Sequence, residues 1–291
     1  QTKGFRYLFH IVILAVCVSI TSANATLIIG AFNNETLFVA SDSCMTFQAG
    51  ERLQQFKVPK LFKVSDRCCV SICNRYGGYI RIPQTTNVVQ FLLPKELSKI
   101  CSQYSASETN LEVGIDQVNS HFAIVYHYYV ANRLDADPNP ETRLTYWGYD
   151  QTHQRFFAES YLFEPSSGTN VPPKIVAFAR GSERIGAPLT LSAEVGFLSA
   201  LIVPVATHRE QPDDKMIPLR TQAFRDEVEQ IVVQETPMPP QRVIQFMLEL
   251  FELHKNHAPH FDYDKGWIDE PYVFFVITPT STESVAFARS H

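Results

Sequence analysis

The chain has 291 residues, 45% of them apolar and 19% charged, and a formal net charge of −5. That balance excludes a disordered or collagen-like chain, and the length supplies apolar surface for one large core or two modest ones. Lys and Arg form no block anywhere, which argues against a protein that reads nucleic-acid phosphates by charge.

In chain order, Lys3 and Arg6 precede an uncharged run from Tyr7 to Ala25, densest in apolar residues at Ile11–Val18 and ending Ser22-Ala23-Asn24-Ala25. A basic start, a short apolar stretch and a small-x-small ending form the pattern of a secretory signal peptide, so residues 1–25 are expected to direct the chain to the secretory lumen or outside the cell. The alternatives are a membrane anchor over residues 7–25, since about 18 apolar residues just span a bilayer, or a buried element of the main domain. A cut after Ala25 makes Thr26 the first residue. Such a threonine carries a hydroxyl and a free α-amine of pKa about 8, and the amine can serve as the base that activates the hydroxyl.

Beyond Ala25, Thr26–Ser43 reads as two short apolar strands around the turn Asn33-Asn34-Glu35. Leu61–Val64 and Cys68–Cys73 repeat the pattern about Ser65-Asp66-Arg67. Thr85–Ser102 has helical spacing, with Val88, Val89, Leu92 and Leu93 on one side and Pro94 inside it, where the helix is broken or restarts. His121–Val130 and Leu144–Tyr149 read as strands on either side of the polar turn Asp135–Glu141. Arg155–Phe163 and Lys174–Ala179 read as further strands, and Thr207–Ile217 as a polar loop. Pro240–His254 is the clearest helix, with Val243, Phe246, Met247, Leu250 and Phe251 at i, i+3, i+4, i+7 and i+8 behind Pro239 and Pro240. Tyr272–Thr278 is expected to close the chain as a buried strand. The order predicts an α+β or layered α/β/α fold with antiparallel sheets and no repeat at solenoid period.

The residues from Thr26 to Tyr79 resemble the start of a proteasome β-type subunit, an N-terminal-nucleophile hydrolase. Thr26-Leu27-Ile28-Ile29-Gly30 is similar to the threonine-led first strand of that family, and Ala40-Ser41-Asp42-Ser43 to its small-x-Asp-Ser. Lys60-Leu61-Phe62-Lys63-Val64 resembles the strand that carries a catalytic lysine. Tyr146-Trp147-Gly148-Tyr149-Asp150 looks like a Gly-hydrophobic-Asp strand, and the late helix with Asp262, Gly266 and Tyr272–Thr278 looks like the C-terminal third. The likeness covers most of Thr26–Thr278 at low identity.

The resemblance implies a single domain over residues 26–291 with a four-layer αββα sandwich and an extended insertion at about 185–238. It implies a threonine-type peptide or amide hydrolase that needs no metal or organic cofactor, acts on a peptide or protein substrate, and belongs to a family of homo- or hetero-oligomeric rings. Thr26 would be the nucleophile, Lys60 would ease ionisation of its hydroxyl, and Asp42 would hold Lys60. Backbone N–H groups around Arg75–Gly78 would form the oxyanion hole. The supporting shell departs from the pattern: Arg180, in Ala179-Arg180-Gly181, and Lys265, in Asp262-Tyr263-Asp264-Lys265-Gly266, stand where the family has serines, and Asn74-Arg75 replaces Ser-Gly. These departures keep open a catalytically inactive structural or binding subunit of the same fold.

Three other features carry chemistry. His254, His257, His260 and Asp262 form a run of candidate metal ligands, against which stands a solvated helix end interrupted by Pro259. The six cysteines are Cys17, Cys44, Cys68, Cys69, Cys73 and Cys101; without the opening segment five remain, so at least one is free or pairs between chains, and a bridge such as Cys44–Cys101 stays open. Asn34-Glu35-Thr36 is a glycosylation sequon in a turn, accessible if the chain enters the secretory lumen.

Overall fold

A computed structural model of the chain describes residues 28–33, 35–49, 52–74, 76–104, 111–134, 141–166, 172–184, 190–194, 238–257 and 270–287. The opening segment, Thr26, the Thr207–Ile217 loop and the sequon's Asn34 lie outside the described residues. The described residues form an α+β fold whose strand pairs are all antiparallel.

The first sheet is built around the hairpin expected from the sequence, β1 (Ile28–Asn33) and β2 (Thr36–Ser41). Four further strands and a hairpin follow: β3 (Cys44–Ala49) with β4 (Arg52–Lys57), then β5 (Leu61–Ser65) with β6 (Cys68–Asn74), and β7 (Gly77–Arg81) with β8 (Val88–Leu92). Helices α1 (Leu93–Tyr104) and α2 (Leu111–Asn132) come next, then β9 (Thr142–Asp150), β10 (Arg155–Glu164), β11 (Lys174–Arg184) and β12 (Thr190–Glu194). Helix α3 (Pro240–His257), β13 (Tyr272–Ile277) and β14 (Thr282–Phe287) complete the chain. One five-stranded sheet runs β12-β1-β2-β13-β14 and the other β11-β10-β9-β6-β5. The stretch expected as an insertion therefore contributes β12, which pairs with β1, and β13 is followed by β14 rather than closing the chain.

Two apolar clusters show how these parts pack. Ile28, Val39 and Phe275 from the first sheet share one cluster with Leu61, Cys73 and Trp147 from the second, so the sheets face each other. The opposite face of the second sheet, including Val70, Ile72 and Leu144, packs on Leu97 of α1 and Phe122 and Tyr126 of α2. Helix α3 touches β1 and β2, and Phe251 stacks on Tyr272 with ring centroids 4.4 Å apart. Burial on both faces explains why β1 reads as an unbroken apolar run rather than an alternation.

The approach of the sheets is closest at Gly30, where a Cβ would lie 2.3 Å from Trp147 Cζ3. The indole is fixed: its Nε1–H donates to Ser71 Oγ at 3.0 Å, and the Ser71 hydroxyl donates to the Thr145 carbonyl at 3.2 Å. A glycine is needed here for room, not for its backbone freedom.

Two expected elements differ. His121–Val130, read as a strand, is the second half of α2. The buried residues Ile115, Val118, Phe122, Tyr126 and Tyr129 recur at helical intervals, while Val113, Ile124 and Tyr128 are exposed; the ten-residue aromatic window hides that period. Thr85–Ser102, read as one helix, is β8 followed by α1. Pro94 lies in the first turn of α1, where its missing N–H costs nothing, so of the two expected alternatives a helix starts there and none precedes it.

Candidate functional site

Strand β2 is flanked by β1 and β13, and its last residue, Ser41, lies opposite Ile28 on one side and Val273 on the other. The chain then leaves the strand at Asp42, which is completely buried. Ser43 follows and donates its hydroxyl proton to the Pro271 carbonyl, tying this exit to the start of β13. Lys60 stands immediately before β5, also with no exposed surface. Its carbonyl accepts the Ile72 N–H at 3.0 Å, so the backbone is fixed to β6 before the side chain departs.

The two side chains meet. Lys60 Nζ donates to Asp42 Oδ1 at 2.9 Å and to Oδ2 at 2.8 Å. Asp42 Oδ2 also accepts the Cys44 N–H at 3.0 Å, and the ammonium lies 5.1 Å from the centroid of the Tyr76 ring. Both groups are removed from water, and each has the other in hydrogen-bond contact to offset that loss. At an effective dielectric of about 20, the attraction at this separation is about 6 kcal/mol, comparable with the desolvation penalty of several kcal/mol per ion. The pair is thus a fixed dipole held at nearly balanced energy. Next to Asp42 in the chain, the buried Ser41 Oγ has no hydrogen-bond partner among the described residues.

Of the expected catalytic residues, Asp42 and Lys60 are brought together, while Thr26 lies outside the described residues, two positions before β1. Asp262 and Gly266 also lie outside them. Arg180 is on β11, opposite Glu159. Three strands separate β11 from β5 in the second sheet, so that sheet does not bring the Arg180 backbone alongside Lys60. Tyr76 escapes sequence reasoning because a lone tyrosine after a strand carries no motif; the Gly77-Gly78 step beside it is the only local signal.

The remaining candidates are accounted for as follows. Cys44, Cys68, Cys69, Cys73 and Cys101 are buried and form no disulfide, so the Cys44–Cys101 bridge is not formed. Burial pushes the Cys68 and Cys69 thiols well up and Cys101 to about 12, which leaves them without thiolate character. His254 and His257 fall on the last turns of α3, whereas His260 lies outside the described residues. Among the described residues no three His, Cys, Asp or Glu side chains form a group that could hold a metal ion. No helix among them is long and apolar enough to cross a membrane. No protein-family model matches the chain, and no curated protein does.

Proposed function

We propose that the chain is a threonine-type peptide or amide hydrolase of the N-terminal-nucleophile kind, with the four-layer αββα sandwich of proteasome β-type subunits. The observation that carries this reading is the completely buried Asp42–Lys60 pair at the exit of β2, next to the start of β1. Two residues of chain span at most about 7 Å, so the sequence tethers Thr26 to Ile28, whose strand partner Ser41 immediately precedes Asp42. The packing order of α1 and α2, second sheet, first sheet and α3 supports the layered reading.

In this reading a peptidase cuts after Ala25 in the secretory pathway, and one bond break both removes the export segment and frees the Thr26 amine. The amine takes the proton of the Thr26 hydroxyl as Oγ adds to the substrate carbonyl carbon. The tetrahedral intermediate then expels the leaving amine, which receives that proton, and an ester to Thr26 remains. Water adds to the ester and releases the acid, restoring the threonine. Lys60 supplies a fixed positive charge that lowers the cost of the alkoxide, and Asp42 holds the ammonium in place. Backbone N–H groups near Gly77 and Gly78 are the proposed oxyanion donors, with Arg180, Asp262 and Gly266 as the outer support, and copies of this chain or of related chains as ring partners.

The test joins mass spectrometry of the mature N-terminus with peptide hydrolysis by wild type and Thr26→Ala. A chain beginning at Thr26 whose turnover vanishes in the folded variant supports the proposal; unchanged turnover in Thr26→Ala overturns it. The second reading, an inactive structural or binding subunit, is favoured by the altered residues Asn74-Arg75, Arg180 and Lys265. It gains support if the purified chain keeps residues 1–25, which leaves Thr26 without a free amine.

A further inference from the structure

Tyr76 has no part in the chemistry above, yet the fold fixes it with some care. Its carbonyl accepts the Leu93 N–H at 2.9 Å, which joins it to the first residue of α1. The next residue, Gly77, has φ of +123°, and a Cβ there would lie 2.1 Å from the Phe91 carbonyl oxygen. Only glycine takes that turn and that approach, so the bend placing Tyr76 between β6 and β7 is set by the backbone on both sides. The side chain is 3% exposed, and its ring lies within cation–π range of the buried Lys60 ammonium.

We infer that Tyr76 is a positioning residue for Lys60, its ring face holding the ammonium beside Asp42. The inference rests on the proposed role of Lys60 in hydrolysis. The argument is electrostatic. A carboxylate holds an ammonium through directional hydrogen bonds. The negative face of an aromatic ring adds attraction without a second formal charge, and it is worth most where water is excluded. Asp42 then fixes the ammonium by hydrogen bonds and Tyr76 by a face, and the two differ in what disturbs them: removal of charge for one, loss of ring electron density for the other.

The test uses the second difference. In full-length protein, Tyr76→Phe keeps the ring face, Tyr76→Leu removes it, and phenylalanines with one, two or three ring fluorines at this position drain the face at almost constant shape. Tyr76→Phe is the reference for the fluorine series, and Tyr76→Leu is expected to fall below it in both urea midpoint and kcat. Along the fluorine series the urea midpoint is expected to fall stepwise, and kcat to fall about tenfold in total at constant KM, as the loss of one desolvated cation–π contact requires. A purely space-filling tyrosine gives a flat series in both readouts, which overturns the inference. Equal damage from Phe and Leu also overturns it, because the hydroxyl would then be the group that matters. If even wild type hydrolyses nothing, the proposed function fails, whereas the ring–ammonium contact is still decided by the urea midpoints.

Discussion

Removing one partner of the Asp42–Lys60 pair is expected to be much worse than removing both. In Lys60→Met the methionine fills most of the lysine's volume, but the Asp42 carboxylate stays buried, keeping the Cys44 N–H and losing two ammonium contacts at 2.8 and 2.9 Å. The lost attraction is about 6 kcal/mol at an effective dielectric of about 20, and local relaxation recovers part of it. A net loss of about 3–5 kcal/mol follows, a large fraction of a typical domain stability of about 5–15 kcal/mol. In Asp42→Leu/Lys60→Met both desolvation penalties disappear with the attraction, and stability is expected to return to within about 1–2 kcal/mol of wild type. Urea unfolding of wild type, both single variants and the double variant completes a thermodynamic cycle, and with m near about 3 kcal/mol/M the single variants shift the midpoint by about 1–2 M. Hydrolysis should be lost in all three variants, including the stable double one. A Lys60→Met variant within about 1 kcal/mol of wild type, or a double variant no better than the single ones, would refute the view of a charged, water-free pair.

Two further outcomes are expected. Gly30→Ala places a methyl against Trp147, whose indole is held by Ser71, and overpacking of this kind costs about 1–3 kcal/mol; a urea midpoint equal to wild type would show that the sheets can separate freely. At Asp150, partial burial raises the carboxyl's pKa, but hydrogen bonds from the His153 ring and N–H and from the Thr152 N–H outweigh it and hold the value below its ordinary 3.8. A depressed carboxylate stabilises the fold above the unfolded value and loses that contribution as pH falls through the folded one. Asp150→Asn is therefore expected to be the less stable protein at pH 7, with the gap to wild type closing below pH about 3.8; a gap that stays constant with pH would remove the ionic explanation.

What the sequence made legible follows from how local each signal is. The β1–β2 and β5–β6 hairpins were readable because short apolar runs flank polar turns, and α3 because its apolar positions repeat over several helical turns. The error at His121–Val130 came from the opposite situation. A stretch packed with Tyr, Val and Ile satisfies strand propensity in every short window, and only the spacing that begins at Ile115 reveals a helix with one buried side. The β7–β8 hairpin is hidden for another reason: Val88, Val89 and Leu92 on β8 also fit the helical spacing that runs on into α1.

The site divides along the same line. Asp42 and Lys60 are singled out together only through the resemblance to the proteasome β-type pattern, since taken singly each is a charged residue at a strand boundary, either at the surface or paired. Their complete burial removes the first option and their contact supplies the second. Nothing in strand periodicity, however, places the ring of Tyr76 near Lys60, since the contact depends on a positive-φ glycine and on a hydrogen bond to the start of a helix seventeen residues further along. An apolar pair of similar volume would fill this part of the fold at little or no cost in stability. What the ion pair provides, and an apolar pair cannot, is a positive charge of fixed position beside the start of β1, the strand that begins just after Thr26. That is the physical reason for reading the pair as part of a reaction rather than as part of the core.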